Sequence, residues 1–505
     1  MTLTSVHSGL DPSVWKLGRD YQIIDVPNQD AILFFAGNHQ QFRVSSELAQ
    51  RLKAGLDQLS EREWAEWESL EKRGLISDRN RTLLADASFR DGANLAINVN
   101  LTAFCNLGCT YCFADGGDYG RIKGKLELNT VDHIFQFIDE HLLPNQSVRF
   151  EFFGGEPLLN FDIIKEICER SDTLLEQKGI RFIYRISTNL TVMPEGVLDL
   201  FASRNFIVSV SIDGGKETHD RNRPTKGGTG SFDKIIRNCH LVRRTSDAIT
   251  LVARMTVVST HPSLIDNVKE LWNHNIFDYF QIYPGVVPVE KSQIFHVGDL
   301  PKDESEPATT VLPGFRKEFE TLVSHYADFF TPDNRFRGVL EYERIVDMVY
   351  QGKMAVSFCS AARNYYTFSP DDSIMPCHRM VGETQFQVGK GDTGIDQNLN
   401  AWRVSVDENP TCSQCWIRYI CGGGCKQENY VATGDINEPN PEMCDAQINM
   451  VTQVLKAAAT RESTYQEQNR APLDNLFVSC GRPIILNMRP ETEPQKFDFS
   501  YFHPF

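Results

Sequence analysis

Ten of the chain's thirteen cysteines fall into arrays whose spacing suits a metal centre. Cys105, Cys109 and Cys112 lie in one short stretch, with gaps of three and two residues, directly after the strand-like run Ala96–Leu101. Three thiolates so spaced wrap one face of an iron–sulfur cube, and no fourth cysteine follows nearby, so one iron keeps an open position for a ligand. Cys412, Cys415, Cys421 and Cys425 have gaps of two, five and three residues, with Cys359 and Cys377 upstream and Cys444 downstream. Seven thiolates exceed one cube. Paired cysteine motifs also bind zinc, and structural zinc wants four closed ligands, so a zinc ribbon is the alternative here. Cys168 and Cys239 sit within helical patterns and read as small core residues.

Between Asn94 and about Pro284 strand-like and helix-like runs alternate: Ala96–Leu101, Val131–Leu143, Val148–Phe153, Ile163–Lys178, Arg181–Ser187, Val197–Ser203, Ile207–Ile212, Phe232–Arg244, Ile249–Val258, Leu264–His274 and Tyr279–Tyr283. Such alternation implies parallel strands joined by crossover helices, enough for an open barrel. The first cysteine loop then stands at the C-terminal end of the first strand, where barrels of this kind carry their chemistry. Phe153-Gly154-Gly155-Glu156-Pro157 ends the second strand, Ser187-Thr188-Asn189 the third and Ser211-Ile212-Asp213-Gly214 the fourth, and Arg254 lies on the fifth. Alone, the Gly-Gly-Glu-Pro would be a turn, and Asp213 and Ser187 helix caps.

Cys-x3-Cys-x2-aromatic-Cys after a first strand, followed by Gly-Gly-Glu-Pro after the second, resembles the signature of the radical S-adenosylmethionine (SAM) superfamily. The resemblance implies a 4Fe–4S cluster on Cys105, Cys109 and Cys112, whose fourth iron chelates SAM and whose electron cleaves it to a 5′-deoxyadenosyl radical. It implies cofactor contacts at Tyr111, Gly154, Gly155, Glu156, Pro157, Ser187, Asn189, Ser211 and Arg254, with Arg254 partnering the methionine carboxylate. The second array is similar to the SPASM extension, which binds two auxiliary clusters, making three 4Fe–4S clusters in all. By motif position Cys412, Cys415, Cys421 and Cys444 would complete one, and Cys359, Cys377 and Cys425 would give three ligands to the other; Cys480 or a substrate thiolate would fill its last site. Asp372 replaces a glycine common in the family. His378 stands where sulfatase-maturing members carry a catalytic aspartate, so that role does not transfer. Asp213, His378 and Glu156 are the candidate proton acceptors.

Residues 1–85 hold three strand-like runs, Tyr21–Val26, Ala31–Phe35 and Gln41–Val44, and two helical stretches, Glu47–Leu59 and Glu61–Arg73, the second opened by a Ser60–Glu63 capping box. This outline resembles a winged-helix precursor-peptide recognition module; a packing extension is the alternative. The expected architecture is α/β: that module, a partial (β/α)6 barrel over 90–300, a bridging region over 301–358, a SPASM domain over 359–465 and a tail over 466–505. A 505-residue chain with 41% hydrophobic and 23% charged residues buries several cores. Net charge −16 and pI near 5.3 disfavour nucleic acid and anionic membrane as partners. With no signal-like N-terminus and no long apolar stretch, a cytoplasmic location is expected. The parts together resemble maturases of ribosomally made peptides, among them the quinohaemoprotein amine dehydrogenase maturase. They imply side-chain hydrogen abstraction from a precursor peptide or small protein, then a thioether or carbon–carbon crosslink, with flavodoxin or ferredoxin as electron donor. A formylglycine-forming sulfatase maturase and a zinc-stabilised peptide-binding protein are the alternatives.

Overall fold

In the strand Leu95–Asn100, Leu95, Ile97 and Val99 alternate with Ala96, Asn98 and Asn100. A pleated strand turns these sets to opposite faces. Ile97 and Val99 join the core under the helices, while Asn98 faces an internal cavity with Glu151, Arg185 and Gln281. The same division runs through Ser147–Phe153, where Val148, Phe150 and Phe152 are fully buried in the core and Arg149, Glu151 and Phe153 face inward. One wall is therefore hydrophobic scaffold and the other a polar lumen.

A computed structural model describes residues 16–27, 30–76, 94–120, 122–258, 263–284, 315–331, 333–351, 353–466 and 478–479. An antiparallel meander of β1 (Tyr21–Ile24), β2 (Ala31–Phe35) and β3 (Gln41–Val44) is followed by α1 (Ser46–Ala54) and α2 (Glu61–Lys72). The capping box is present: Ser60 N–H donates to Glu63 Oε2 at 2.8 Å, and Glu63 N–H to Ser60 Oγ at 3.4 Å. The expected helix 47–59 instead stops at Ala54, because Gly55 adopts φ +132 and only a short 3₁₀ turn follows.

The central unit runs β4 (Leu95–Asn100), α3 (Leu128–His141), β5 (Ser147–Phe153), α4 (Phe161–Lys178), β6 (Arg181–Thr188), α5 (Val197–Ser203) and β7 (Ile207–Ser211). It continues through α6 (Lys216–Asn222), α7 (Phe232–Thr245), β8 (Thr250–Val257), α8 (Leu264–Asn273) and β9 (Tyr279–Pro284). The strands β4 to β9 pair in parallel in chain order, the six parallel strands with crossover helices expected from the alternation.

Beyond it stand α9 (Phe315–Ser324), β10 (Gly338–Val339), α10 (Leu340–Gln351), β11 (Tyr365–Phe368), β12 (Ser373–Met375), β13 (Gly389–Lys390) and β14 (Gly394–Ile395). Then come α11 (Arg418–Cys421), α12 (Lys426–Thr433), α13 (Pro441–Gln466) and β15 (Val478–Ser479). Two sheet additions were not foreseen. The described part of the expected bridge adds β10 parallel to β9, and β11, from the cysteine-rich region, pairs in parallel with β4. Of the tail, β15 adds to the edge of β3, while Cys480 lies outside the described residues. Among the described residues no helix is long and apolar enough to cross a membrane.

Candidate functional site

Backbone hydrogen bonds hold the first cysteine loop from two sides. Gly155 N–H donates to Thr102 O and Glu156 N–H to Phe104 O, each at 2.8 Å, so the glycine motif lies as a short ladder against the start of the loop. A Cβ on Gly155 would stand 2.2 Å from Phe104 O, and Gly154 has φ +125, so both positions need glycine. On the other side Gly108 N–H donates to Pro224 O at 2.8 Å and Thr110 N–H to Asn222 O at 3.0 Å. Residues 222–226, which no motif marks, thus form the loop's second wall.

The resulting cleft has an empty volume of about 1110 Å³. Cys105, Cys109 and Cys112 open into it, with Tyr111 beside them. Gly154, Gly155, Ser187, Asn189, Ser211 and Arg254 complete the strand-end rim. Arg254 Nη1 donates to Ser187 Oγ at 3.3 Å, and Asn189 Nδ2 lies 3.7 Å from Cys105 Sγ. Burial lowers the Arg254 pKa to about 10, still cationic at neutral pH.

Four expected site residues stand off this wall. Glu156 is fully buried: its Oε1 accepts Thr188 Oγ1–H at 2.6 Å and Leu158 N–H at 3.0 Å, and its Oε2 accepts Asn189 N–H at 2.8 Å. It braces the end of β5 to the end of β6 rather than facing the cleft, although burial raises it to about 7. Pro157 opens a buried 3₁₀ turn. Asp213 is engaged on all sides, by Arg223 Nη2 at 3.0 Å, Tyr111 O–H at 2.6 Å and Thr256 N–H at 3.0 Å, an arrangement that positions neighbours and leaves no oxygen toward the cleft. His378 faces the internal cavity instead, with Nδ1 2.9 Å from Tyr365 Oη and its ring 4.7 Å from that of Phe153. Burial pushes it down to about 3, so it is neutral.

The remaining cysteines gather as two further sets. Burial pushes the Cys444 thiol up to about 12, and the charges of Cys421, Cys412 and Cys415 add to it. Cys377 likewise feels Cys425 and Cys359 and is raised, burial being the main cause. In the first set Cys109, pushed to about 12 by burial, feels Cys112 and Cys105. All these thiols are unbridged. Buried sulfurs that raise one another's pKa need a cation to become thiolates, and iron supplies it. The donor sets fit cubes. Asp372, at the departure from the family's glycine, adopts φ +60 and holds His133 at 2.8 Å, so the turn survives.

Sequence reading missed the residues that join these sets. Arg379 and Glu428 form a buried pair at 2.5 Å, both lining the cleft, with Arg379 Nη1 3.8 Å from Cys425 Sγ and its guanidinium 5.7 Å over the Phe113 ring. A second cavity, of about 620 Å³, shares Tyr283, Pro284 and Glu428 with the cleft. Its Glu341 accepts the Ile282 N–H at 3.0 Å, and burial raises it to about 7. No motif marks any of these.

Residues 99–273 match the Radical SAM superfamily. A cysteine-type anaerobic sulfatase-maturating enzyme of Clostridium novyi is 26% identical over 384 residues, 71% of this chain and 96% of that protein. A serine-type anaerobic sulfatase-maturating enzyme of Bacteroides thetaiotaomicron is 30% identical over 151 residues, 28% of this chain and 34% of its own length. The structure of native anSMEcpe with bound AdoMet and the Cp18Cys peptide superposes with a TM-score of 0.56 at 19% identity, over 72% of this chain and 97% of that one, a likeness of fold. With its cysteine loop and glycine ladder at the head of a parallel sheet, the chain matches the Radical SAM superfamily over residues 99–273 and is similar over most of its length to an anaerobic sulfatase-maturating enzyme.

Proposed function

We propose that the chain is a maturase that abstracts a side-chain hydrogen from a ribosomally made precursor polypeptide and installs an intrapeptide crosslink, C–S or C–C. The observation that carries this reading is the opening of the cleft between two cysteine sets: the Cys105 loop forms one side, and Arg379 and Glu428, against Cys425, the other. SAM and the cluster, when bound, supply the radical that takes the hydrogen. Gly154 and Gly155 admit the cofactor's close approach, Ser187, Asn189 and Ser211 offer hydrogen bonds along the rim, and Arg254 offers a cation to a carboxylate. Cys359, Cys377 and Cys425, and Cys412, Cys415, Cys421 and Cys444, are the proposed auxiliary ligands. A flavodoxin or ferredoxin is the proposed donor.

The names of the relatives favour a second reading, formylglycine formation on a sulfatase. Against it, His378 replaces the acid that the resemblance places there, and its ring packs on Tyr365 and Phe153 in the internal cavity.

Iron analysis after anaerobic reconstitution tests the cofactor reading. Three cubes give about twelve irons per chain. Changing Cys105, Cys109 and Cys112 together to Ala removes about four of them and all SAM cleavage; cleavage retained in that variant sinks the reading. Candidate precursors encoded beside this gene, incubated with enzyme and SAM, separate the two functions by fragmentation and carbonyl trapping: a crosslink removes two hydrogens, joins two residues and blocks fragmentation between them, while formylglycine leaves an aldehyde at a single cysteine or serine that a hydrazide captures.

A further inference from the structure

Residues 213–223 build, with Ser231, a closed polar ring beside the first cysteine set. Asp213 N–H donates to His219 Nδ1 at 3.3 Å; His219 Nε2 meets Ser231 Oγ at 2.9 Å; and Ser231 Oγ–H donates to Arg223 O at 2.8 Å. Burial holds His219 near pKa 4, so it is neutral and its Nε2–H serves Ser231. The backbones of Asp213 and Arg223 are thereby fixed to each other, and their side chains close the ring as an ion pair at 3.0 Å with side-chain exposures of 0% and 10%. From there the guanidinium reaches over the Tyr111 ring, 5.1 Å from its centroid, and places Nη1 4.0 Å from Cys109 Sγ. Tyr111 donates its own hydroxyl to Asp213 at 2.6 Å, so the residue before Cys112 is tied to the same carboxylate. Backbone pairing of Gly108 and Thr110 with Pro224 and Asn222 keeps the cation from swinging away.

We propose that Arg223 is a positioning residue that sets the reduction potential of the cluster on Cys105, Cys109 and Cys112, with Asp213 as its counterweight. This rests on the reading that those cysteines hold the cluster. One-electron reduction adds one negative charge to the cube and moves no proton. A buried, fixed cation beside a cluster sulfur favours the reduced form and raises the potential, and the carboxylate behind it partly offsets this. The signs are therefore opposite for the two members of one pair, which a packing role does not produce.

The test is a potentiometric titration of the full-length reconstituted enzyme followed by EPR, reading the component that shifts on adding SAM, with iron content measured alongside. Arg223→Gln lowers the midpoint so that the reduced-to-oxidised ratio at a fixed potential falls at least tenfold, about 59 mV for a one-electron couple. Asp213→Asn raises the midpoint. Arg223→Lys, which keeps the charge, stays nearer the parent than the Gln variant. Shifts of the same sign in the Gln and Asn variants, or no shift in either with iron retained, overturn the proposal. An unchanged potential with weakened SAM binding also overturns it, assigning Arg223 to the cofactor instead. Where Arg223→Gln loses the first-set iron, Asp213→Asn decides alone: a raised midpoint supports the proposal and an unchanged one overturns it. A parent enzyme without a SAM-sensitive signal refutes the cluster reading itself, a distinguishable failure.

Discussion

Gly155→Ala is the smallest change that reaches the chemistry through geometry alone. A Cβ there would lie 2.2 Å from Phe104 O, 2.4 Å from Phe104 C and 2.9 Å from Cys105 N, all backbone atoms that cannot rotate aside. The two loops must part by roughly 1 Å before the contact becomes ordinary. That separation breaks or stretches the bonds from Gly155 N–H to Thr102 O and from Glu156 N–H to Phe104 O. Overpacking of about 1–3 kcal/mol, plus about 1 kcal/mol for each of the two weakened hydrogen bonds, gives about 3–5 kcal/mol, all falling beside Cys105. Anaerobic iron analysis and SAM cleavage are the assay. The variant should lose about four irons of the reconstituted complement and nearly all cleavage, and keep the irons of the cysteine-rich region. Gly196→Ala is the control: Gly196 has φ +81 with nothing within 4 Å of its added Cβ, so it costs about 1–2 kcal/mol of backbone strain and no iron. A Gly155→Ala enzyme with full iron and parental cleavage refutes the reasoning.

Glu341→Gln keeps an acceptor for the Ile282 N–H and removes a titration. The folded pKa of about 7 lies above the ordinary 4.5, so the carboxyl's favourable contribution is present in full below about pH 4.5 and is lost as pH rises through 7. Relative to the Gln variant the parent should lose up to about 3 kcal/mol between pH 5 and 8, measured by urea denaturation at both; a constant difference rejects the assignment. Arg379→Met leaves Glu428 buried without its partner and should destabilise by about 3–5 kcal/mol, with part recovered in the Arg379→Met/Glu428→Gln double variant. Failure to recover would show that the pair matters through something other than charge. Cys412→Ala should spare SAM cleavage without substrate while crosslinked product disappears from reactions with a candidate precursor; equal loss of both points to collapse of the fold.

The legible part of this molecule is what one stretch of chain decides by itself. Cys105, Cys109 and Cys112 could be assigned to one site because a loop of that length brings them together whatever surrounds it, and the alternation in Leu95–Asn100 declares a strand with one apolar face. Glu156 shows the converse: its motif is local, but a buried carboxylate goes where donors are, and Thr188 and Asn189 are supplied by the next strand. Arg223, Arg379 and Glu428 were invisible because each earns its position through a partner far along the chain, with no spacing to advertise it. The same holds for β11, whose four residues carry no sign that they extend the sheet beside β4 rather than stay within a separate domain.

That continuity extends to the N-terminal module, which is seated on the cysteine-rich region. Phe34, fully buried, meets Trp416 with ring centroids 5.5 Å apart, next to Cys415, and Arg418 Nη1 donates to Arg19 O at 2.6 Å. His39 Nδ1 approaches Met348 O at 3.2 Å. Deleting the module would uncover Trp416 and mix substrate capture with loss of support for the Cys412 set, so a point substitution separates them better. Phe34→Ala empties the contact on that side, at a cost of about 3–5 kcal/mol. Leu52→Ala, in the module's own core among Leu33, Phe35 and Trp67, weakens the module without touching the interface. If the docking supports the cluster loop, anaerobic incubation with an iron chelator should draw about four irons faster from Phe34→Ala than from Leu52→Ala, the remainder leaving at equal rates. Equal loss from both would show that the cysteine loop stands on its own and that the module is free to serve substrate binding alone.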